Sequence, residues 1–420
     1  MRPLLALAAR SAWNRRLTLA TTTLAIALSV TLLLGIERLR EGAHEGFSQS
    51  VSGTDLIVGA RGSPVQLLLY SVFHIGNATN AMRWQSFDDL SRHPAVAWAV
   101  PLSLGDSHRG HAVVGTTPAY FEHFRHGNQT PLAFAAGRPF RAVFEAVLGA
   151  EVAVQLGYQP GQIIALNHGM ADTSLASHAD KPFTVVGILA ATGTPVDRSI
   201  LVGLDSIEAI HLDWQGGAPI PGMVIPPHFV SKFDLQPKTI TAALVGLNTR
   251  IDVFRMQRHV ADYRPEPLTA VLPGVALDEL WQVVGLAEKA LLAVSAMVVL
   301  VGLAGLVAVI LASLNERRRE LAILRAVGAR PRELFLLLSL EGVLVTLLGI
   351  LGGVMLASLL GLALAPLTQA RYGILLPQRL PSTDELSLLG LVFCASLLAC
   401  LAPGWRAYRL SLADGLSPRI

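Results

Sequence analysis

Four long apolar stretches constrain the fold of this 420-residue chain more than any other feature. The first, Leu17 to Ile36, contains no charged side chain over twenty residues. At about 1.5 Å per residue, a helix of that length just crosses a hydrocarbon core of about 30 Å. Only 15% of all residues are charged, against roughly a quarter in soluble proteins, so we expect a membrane protein. The other stretches are Ala290 to Leu314, about Gly342 to Leu367 and about Leu386 to Leu401.

The arginines indicate how these spans cross the membrane. Four precede the first span and six lie within residues 316–335, whereas only Arg371 and Arg379 lie between the third and fourth spans. Positive charge concentrates on the cytoplasmic side, so we expect both termini and residues 316–335 in the cytoplasm. The apolar run of the first span is too long for a signal peptide, and no small-x-small cleavage site follows it, which predicts a retained helix.

This topology predicts an α-helical membrane protein with four transmembrane helices and a large α/β external domain inserted between helices 1 and 2. Both cysteines fall in the fourth span, so the external domain must be held by its core rather than by disulfides. The predicted segments are residues 1–36 (N-terminus and helix 1), 37–288 (external domain with a stalk), 289–314 (helix 2), 315–334 (cytoplasmic helix), 335–367 (helix 3), 368–385 (external loop), 386–405 (helix 4) and 406–420 (cytoplasmic tail).

Local patterns within the external domain alternate between strands and helices. Runs rich in β-branched residues predict strands at 55–60, 112–117, 183–189 and 240–247. Helical spacing is found at 143–158, 205–214 and 251–262. From Ala276, apolar residues at 277, 280, 284 and 287 continue that spacing into the second span. We therefore expect one long helix that leaves the membrane as a stalk.

Small residues recur at every fourth position of the third span. Such a ladder lets another helix approach closely within lipid. The sequence leaves two interpretations open, packing within one subunit and a contact in a dimer. The residues of the ladder are Gly349, Gly353, Ala357 and Gly361.

The basic segment between the second and third spans has the pattern of a short helix. Leu321, Leu324 and Val327 would form an apolar edge, Gly328 would end the helix, and Pro331 suits the first turn of the next one. One interpretation is a basic loop on lipid headgroups. A helix that docks on a cytoplasmic partner also explains the apolar edge and the glycine and proline.

The same segment, ERRRELAILRAVGARPRELF, resembles the signature that follows the second transmembrane helix in the FtsX/MacB-type permeases of ABC transporters. Three external stretches, beginning at VVGTTPAYFEHF, GRPFRAVFEAV and FTVVGILAATG, are similar to the periplasmic core domain of that family. The tail AYRLSLADGLSPRI departs from the family pattern at Leu412 and Gly415, which leaves the role of the tail open. The matching residues are Glu316, Arg317, Arg319, Glu320, Leu324, Arg325, Ala326, Gly328 and Ala329.

The resemblance implies a multi-pass permease of the bacterial inner membrane that works with a separate cytoplasmic ATPase dimer. The chain lacks a G-x-x-x-x-G-K-[ST] loop, so we expect ATP and Mg²⁺ to bind the partner and no catalysis in this chain. A second permease copy or paralogue, and a periplasmic adaptor, are further expected partners. A regulatory scaffold for a periplasmic hydrolase is the alternative function. The residues expected to couple to the ATPase are Glu316, Arg317, Arg319, Glu320, Leu321, Leu324, Arg325, Val327 and Gly328.

Histidines suggest a third possible role, that of a metal-linked transport module that uses the histidine-rich external domain. All twelve lie between His44 and His259, and neutral imidazoles are common transition-metal ligands. Two pairs with three-residue spacing, His108 with His111 and His123 with His126, are candidate ligands for zinc, the other interpretation being ordinary surface or core histidines. The segment that contains His168, Asp172, His178 and Asp180 reads as an ordinary polar loop. A net charge of +3 gives no indication of a nucleic-acid partner.

Overall fold

The computed structural model describes residues 16–50, 52–76, 80–169, 177–215, 218–316, 326, 328, 330–372 and 379–409. Its contacts divide the chain into two units. The membrane unit comprises the described parts of Met1–Gly42, Gly285–Leu367 and Leu376–Ile420, and the α/β unit those of Ala43–Val284 and Thr368–Leu375. Four helices are long and apolar enough to cross a membrane, as predicted: Arg16–Gly46, Pro273–Ala312, Arg332–Thr368 and Thr383–Leu401.

Helices account for nearly all of the described membrane unit and for a minor part of the α/β unit. The start of α2 illustrates how a capping residue begins a helix. The Ser63 hydroxyl accepts a hydrogen bond from the backbone N–H of Gln66, and Pro64 occupies the first turn. In chain order the described helices are α1 (Arg16–Gln49), α2 (Pro64–Ser71), α3 (Trp84–Ser91), α4 (Ala119–His123), α5 (Ala150–Leu156), α6 (Leu204–His211), α7 (Val253–Ala261), α8 (Pro273–Glu316), α9 (Pro331–Tyr372) and α10 (Thr383–Arg409).

The strands all belong to the α/β unit. The described strands are β1 (Leu56–Ala60), β2 (Met82–Arg83), β3 (Val96–His108), β4 (His111–Thr116), β5 (Arg125–His126), β6 (Thr130–Pro131), β7 (Phe134–Gly137), β8 (Glu145–Leu148), β9 (Ile163–Ile164), β10 (Asn167–His168), β11 (Phe183–Leu189), β12 (Ser199–Gly203), β13 (Trp214–Gln215), β14 (Ala218–Pro219), β15 (Thr239–Ile240), β16 (Ala242–Leu247) and β17 (Leu268–Val271).

Most of these strands form one 11-stranded mixed sheet. Its main path runs β17-β1-β16-β3-β4-β12-β8-β11-β7, with β10 added to β3 and β9 added to β11. The β4–β12 and β8–β11 pairs are parallel, and the other pairs are antiparallel. Between Leu104 and Ser107 the register of β3 against β4 shifts, as at a β-bulge. That irregularity sets the position of Asp106, which lies opposite His168 of β10.

The main sheet is covered on both faces. Successive side chains of a strand point to opposite faces, so neighbouring residues join different cores. Ile57 of β1 and Leu201 of β12 share one core with α2, α4 and the first turns of α8. On the other face, Leu56 packs with α3 and α7, and Ile200 packs with α5 and α6. The α/β unit therefore holds itself together by apolar burial.

The structure confirms most of the predicted elements and corrects one. The predicted strands correspond to β1, β4, β11 and β16, and the stalk with its span is the single helix α8, Pro273–Glu316. The prediction of one helix over 143–158 was wrong, because Glu145–Leu148 is a strand and only Ala150–Leu156 is helical. Gly149 separates them: a Cβ there would lie 2.2 Å from the Val196 carbonyl oxygen. This tertiary contact interrupts the helical pattern.

The four long helices share an apolar core in the membrane unit. Val30 of α1, Leu306 of α8, Val345 of α9 and Val392 of α10 are all buried in it. Every backbone polar group that lies in lipid must be satisfied within the protein, and a helix does so within its own segment. This explains why each apolar stretch of the sequence is a helix.

Candidate functional site

Most of the basic segment lies outside the described residues. Of the residues expected to couple to an ATPase, only Glu316, the last residue of α8, and Gly328 are described. Gly328 has φ +107, a conformation that glycine adopts without strain. Pro331 is the first residue of α9, as predicted, and the backbone N–H of Arg330 donates to Glu333 Oε2 at 3.0 Å. The Glu333 side chain thus caps a free backbone N–H where the third membrane helix begins.

The small-residue ladder packs α9 against α1 within the subunit. A Cβ on Gly349 would lie 2.6 Å from Ile26 Cγ2, and one on Gly353 would lie 2.6 Å from Val30 Cβ. Ala357 is buried in the shared apolar core of this unit. Gly361 differs, since a Cβ there would meet no described atom within 4 Å. The two glycines at the contact therefore allow two helix backbones to approach more closely than any larger residue permits.

A buried ion pair links three helices of the membrane unit. Arg38 of α1 donates from Nε to Glu385 Oε1 at 3.0 Å and from Nη2 to Glu385 Oε2 at 3.2 Å, so the pair is bidentate. Arg38 Nη1 also donates to Ser358 Oγ of α9 at 3.3 Å. The exposed fraction is 6% for Arg38 and 1% for Glu385. Each charge therefore depends on the other for compensation.

The four histidines singled out in the sequence do not come together as one group of ligands. His108 and His111 lie opposite each other where β3 and β4 meet. His108 already uses both ring nitrogens, toward the Ala165 carbonyl at 2.6 Å and the Tyr158 hydroxyl at 3.0 Å, and burial lowers its pKa.

The other pair lies in different surroundings. His123 stacks on Trp98 with ring centroids 5.0 Å apart, and His126 lies on the short strand β5. A different set of residues does converge in the α/β unit. Asp106 meets three histidines so that one ligand atom from each residue lies within 4.8 Å of all the others, the histidines being His168, His178 and His211. Sequence reasoning assigned His168 and His178 to an ordinary polar loop and gave His211 no role.

The architecture defines a class of protein: a multi-pass membrane protein with a large mixed α/β domain between its first two membrane helices. Residues 292–412 match the FtsX-like permease C-terminal family, and residues 19–222 match the MacB-like periplasmic core domain. The chain therefore belongs to the FtsX-like permeases of ABC transporters that carry a MacB-like periplasmic core domain. This family implies a transmembrane subunit that associates with an ABC ATPase.

Two solved structures are similar to part of the chain. The periplasmic region of MacB from Actinobacillus actinomycetemcomitans has 11% identity and a TM-score of 0.33, over 56% of this chain and 96% of that one. The extracellular domain of the noncanonic ABC-type transporter YknZ from Gram-positive bacteria has 10% identity and a TM-score of 0.30, over 52% of this chain and 98% of that one. No curated protein sequence matches the chain.

Proposed function

We propose that the chain is a permease subunit that converts the ATP-driven motion of a separate cytoplasmic ATPase into conformational work in the periplasm. Export, extraction or release of a peptide, a lipoprotein or another envelope substrate is the kind of work we expect. The observation that carries this proposal is the continuity of α8, which is one helix from Pro273 to Glu316. At about 1.5 Å per residue, a helix of this length is roughly 66 Å long.

Both ends of α8 are held by their surroundings. Near its start, Ala276 and Leu277 are buried in the core of the α/β unit. Further along, Leu306 and Ile310 are buried in the core of the membrane unit. The helix ends at Glu316, the first residue of the basic segment that resembles the ATPase-coupling signature. A helix anchored in this way can carry a displacement along its axis, because α8 contains no proline after its first residue and proline is a usual cause of sharp kinks.

We also propose that both termini and the basic segment face the cytoplasm, as the distribution of arginines predicts. Single cysteines are introduced at Ser231, which is exposed in the α/β unit, and at Ser417 in the tail, after Cys394 and Cys400 are replaced by alanine. An impermeant thiol reagent should label Ser231→Cys in cells with a permeabilised outer membrane and leave Ser417→Cys unlabelled. Labelling at the tail would reverse the orientation.

Contact with the ATPase is tested most sharply at Leu324, the centre of the predicted apolar edge. Burying a leucine contributes about 1.5–3 kcal/mol, and an unpaired carboxylate in the same pocket costs several more. Leu324→Asp should therefore weaken association with the ATPase by roughly a hundredfold or more, since 1.4 kcal/mol is a factor of ten. Arg325→Ala is the matched control, because an exposed ion pair is typically worth under about 1 kcal/mol.

The measurement is co-purification of the partner ATPase together with permease-dependent ATP hydrolysis. Both variants should still insert, because neither residue lies in a predicted span. If the segment only rests on lipid headgroups, the order of the two effects reverses, since basic charge then dominates. Normal complex formation and turnover in Leu324→Asp would remove the segment from the coupling role.

A further inference from the structure

We propose that the α/β domain binds one divalent transition-metal ion, such as zinc, through one carboxylate and three imidazoles, those of Asp106, His168, His178 and His211. Asp106 lies in the bulged part of β3, and His168 lies on β10. His178 follows Ser177, which forms an isolated bridge with Asn167, and His211 is the last residue of α6. The site is independent of the proposed ATPase coupling, because all four ligands belong to the α/β unit.

Three of the ligand atoms already form one face of a tetrahedron. His168 Nδ1 lies 3.1 Å from Asp106 Oδ1 and 3.2 Å from His211 Nε2, and the third edge, from His211 Nε2 to Asp106 Oδ1, is 3.7 Å. Zinc binds nitrogen and oxygen at about 2.0–2.2 Å in a tetrahedron, which places neighbouring ligand atoms about 3.3–3.6 Å apart. The observed separations bracket that spacing, so binding requires shifts of only a few tenths of an ångström in these three side chains.

His178 supplies the fourth corner and the strongest indication of a ligand. Its side chain is fully buried, and neither ring nitrogen has a hydrogen-bond partner among the residues that the structure describes. Buried polar groups nearly always find partners, so two unpaired nitrogens on one ring call for an explanation. A metal ion at the centre of the group would supply the missing partner.

The surroundings orient His211 as metal ligands are commonly oriented. A carbonyl oxygen only accepts, so the contact of 2.8 Å between His211 Nδ1 and the Ile207 oxygen requires a proton on Nδ1. A neutral ring then has its lone pair on Nε2, the atom that faces His168 and Asp106. Histidines that bind metals usually donate their other N–H to a carbonyl or carboxylate in this manner.

Neighbouring residues also hold the group in place and limit its contact with water. The Trp214 indole packs against all three imidazoles, most closely against His178 with ring centroids 4.2 Å apart. The buried Lys181 ammonium donates to both Asp213 carboxylate oxygens at 2.7 and 2.8 Å, and the Lys181 backbone N–H donates to the His178 carbonyl at 3.1 Å. These contacts fix the residues that flank His178 and Trp214.

The chemistry of the ligands selects the class of ion. Calcium and magnesium prefer shells made entirely of oxygen, whereas imidazole suits zinc, copper, iron and nickel. A metal-free network of hydrogen bonds accounts for three of the residues, since one proton on His168 can be shared between Asp106 and His211. It leaves both nitrogens of His178 without partners in the described part of the chain. The metal site accounts for all four residues.

The test uses the full-length protein in detergent, stripped with a chelator and titrated with Co²⁺. Tetrahedral Co²⁺ absorbs strongly at visible wavelengths, whereas octahedral Co²⁺ held loosely at a surface absorbs weakly, so the spectrum reports the geometry. We expect one tetrahedral Co²⁺ per chain, displaced by Zn²⁺, with a dissociation constant at or below the micromolar range. His168→Ala, which removes the most exposed of the three rings, should weaken binding by roughly a hundredfold or more, since losing even an outer partner costs about 10–100-fold.

A second variant and a control separate metal binding from folding. His211→Asn removes another ligand and should have the same effect as His168→Ala, with circular dichroism confirming that each variant is folded. Replacing His123 and His126 together by asparagine should leave Co²⁺ binding unchanged. Absence of the tetrahedral spectrum in the unmodified protein overturns the proposal. Unchanged binding in a folded His168 or His211 variant, or loss of binding in the His123 and His126 control, overturns it as well.

Discussion

The buried pair between Arg38 and Glu385 makes the sharpest prediction about the membrane unit. Glu385→Ala leaves the Arg38 guanidinium buried, with the Ser358 hydroxyl, 3.3 Å away, as its one remaining side-chain hydrogen-bond partner among the described residues. Removing one member of a buried ion pair typically costs about 3–5 kcal/mol, because the remaining charge is uncompensated. For a unit of 150–250 residues, about 2–4 °C of melting temperature corresponds to each kcal/mol. We therefore expect Tm to fall by at least about 6 °C.

The double variant Arg38→Met, Glu385→Met distinguishes charge burial from loss of packing. Replacing both members of a buried pair by apolar residues of similar volume is often neutral or stabilising. The double variant should therefore recover most of the Tm lost in Glu385→Ala. An exposed pair supplies the control: Asp88→Ala disrupts a contact of 2.8 Å with Arg92, where a loss below about 1 kcal/mol is expected.

The assay is thermal unfolding of the purified protein in detergent. The readout is the fraction of protein that stays monodisperse after heating to each temperature. The three melting temperatures should rank wild type close to the double variant, with Glu385→Ala well below both. Equal Tm values for wild type and Glu385→Ala would contradict this prediction, because they would show that Arg38 in the variant is not an uncompensated buried charge. A double variant as unstable as the single one would show that the helices depend on the polar contact itself.

Two further predictions concern a helix contact and a partly buried carboxyl group. Gly353→Val should destabilise the membrane unit by about 1–3 kcal/mol, because its Cβ would lie 2.6 Å from Val30, whereas Gly361→Val, with open space around it, should leave Tm unchanged. Equal effects of the two valines would contradict the packing of α9 on α1. Burial raises the pKa of Glu151 from 4.5 to about 7, so the α/β domain should lose stability as pH rises through this range, since the unfolded chain releases the proton first. Denaturant midpoints across that range should fall less steeply in Glu151→Gln, and an unchanged slope would exclude Glu151 as the cause.

The four membrane helices were the most predictable part of the fold. Within hydrocarbon, the backbone N–H and C=O groups must form hydrogen bonds inside the protein. Charge-free stretches such as Leu17 to Ile36 could therefore be identified as helices from composition alone. The continuous helix α8 was predictable for a similar reason, because helical spacing from Ala276 runs into the second span without a change of period. The local sequence pattern was sufficient to predict helices where a segment lies in hydrocarbon or keeps one helical period along its whole length.

Contacts between residues far apart in the sequence could not be predicted from the spacing of residues within one segment. The helix predicted over 143–158 is interrupted because the Val196 carbonyl crosses close to Gly149, a contact between residues far apart in sequence. The group around His178 was missed for the same reason. A register shift in β3 brings Asp106 to a histidine 62 residues later, and α6 adds another 43 residues beyond that one. Spacing within one segment favoured His108 and His111 as metal ligands, but in the structure their ring nitrogens contact other groups.

In the function proposed above, α8 transmits motion from the ATPase contact to the periplasmic domain. A fluorophore that senses its environment is attached at Ser231→Cys, with Cys394 and Cys400 replaced by alanine, and the protein is reconstituted with its ATPase in lipid. Inserting Gly-Gly-Ser-Gly after Gly285 interrupts α8, because glycine costs about 1 kcal/mol per helical position relative to alanine. Inserting seven alanine-rich residues at the same place lengthens the helix by about two turns and preserves its continuity.

The measurement is the change in fluorescence on adding ATP to these three complexes. We expect a change in the unmodified protein and in the variant with the helical insertion, and none in the variant with the glycine-rich insertion, although all three bind the ATPase. An undiminished ATP-dependent change in the glycine-rich variant would contradict transmission through α8.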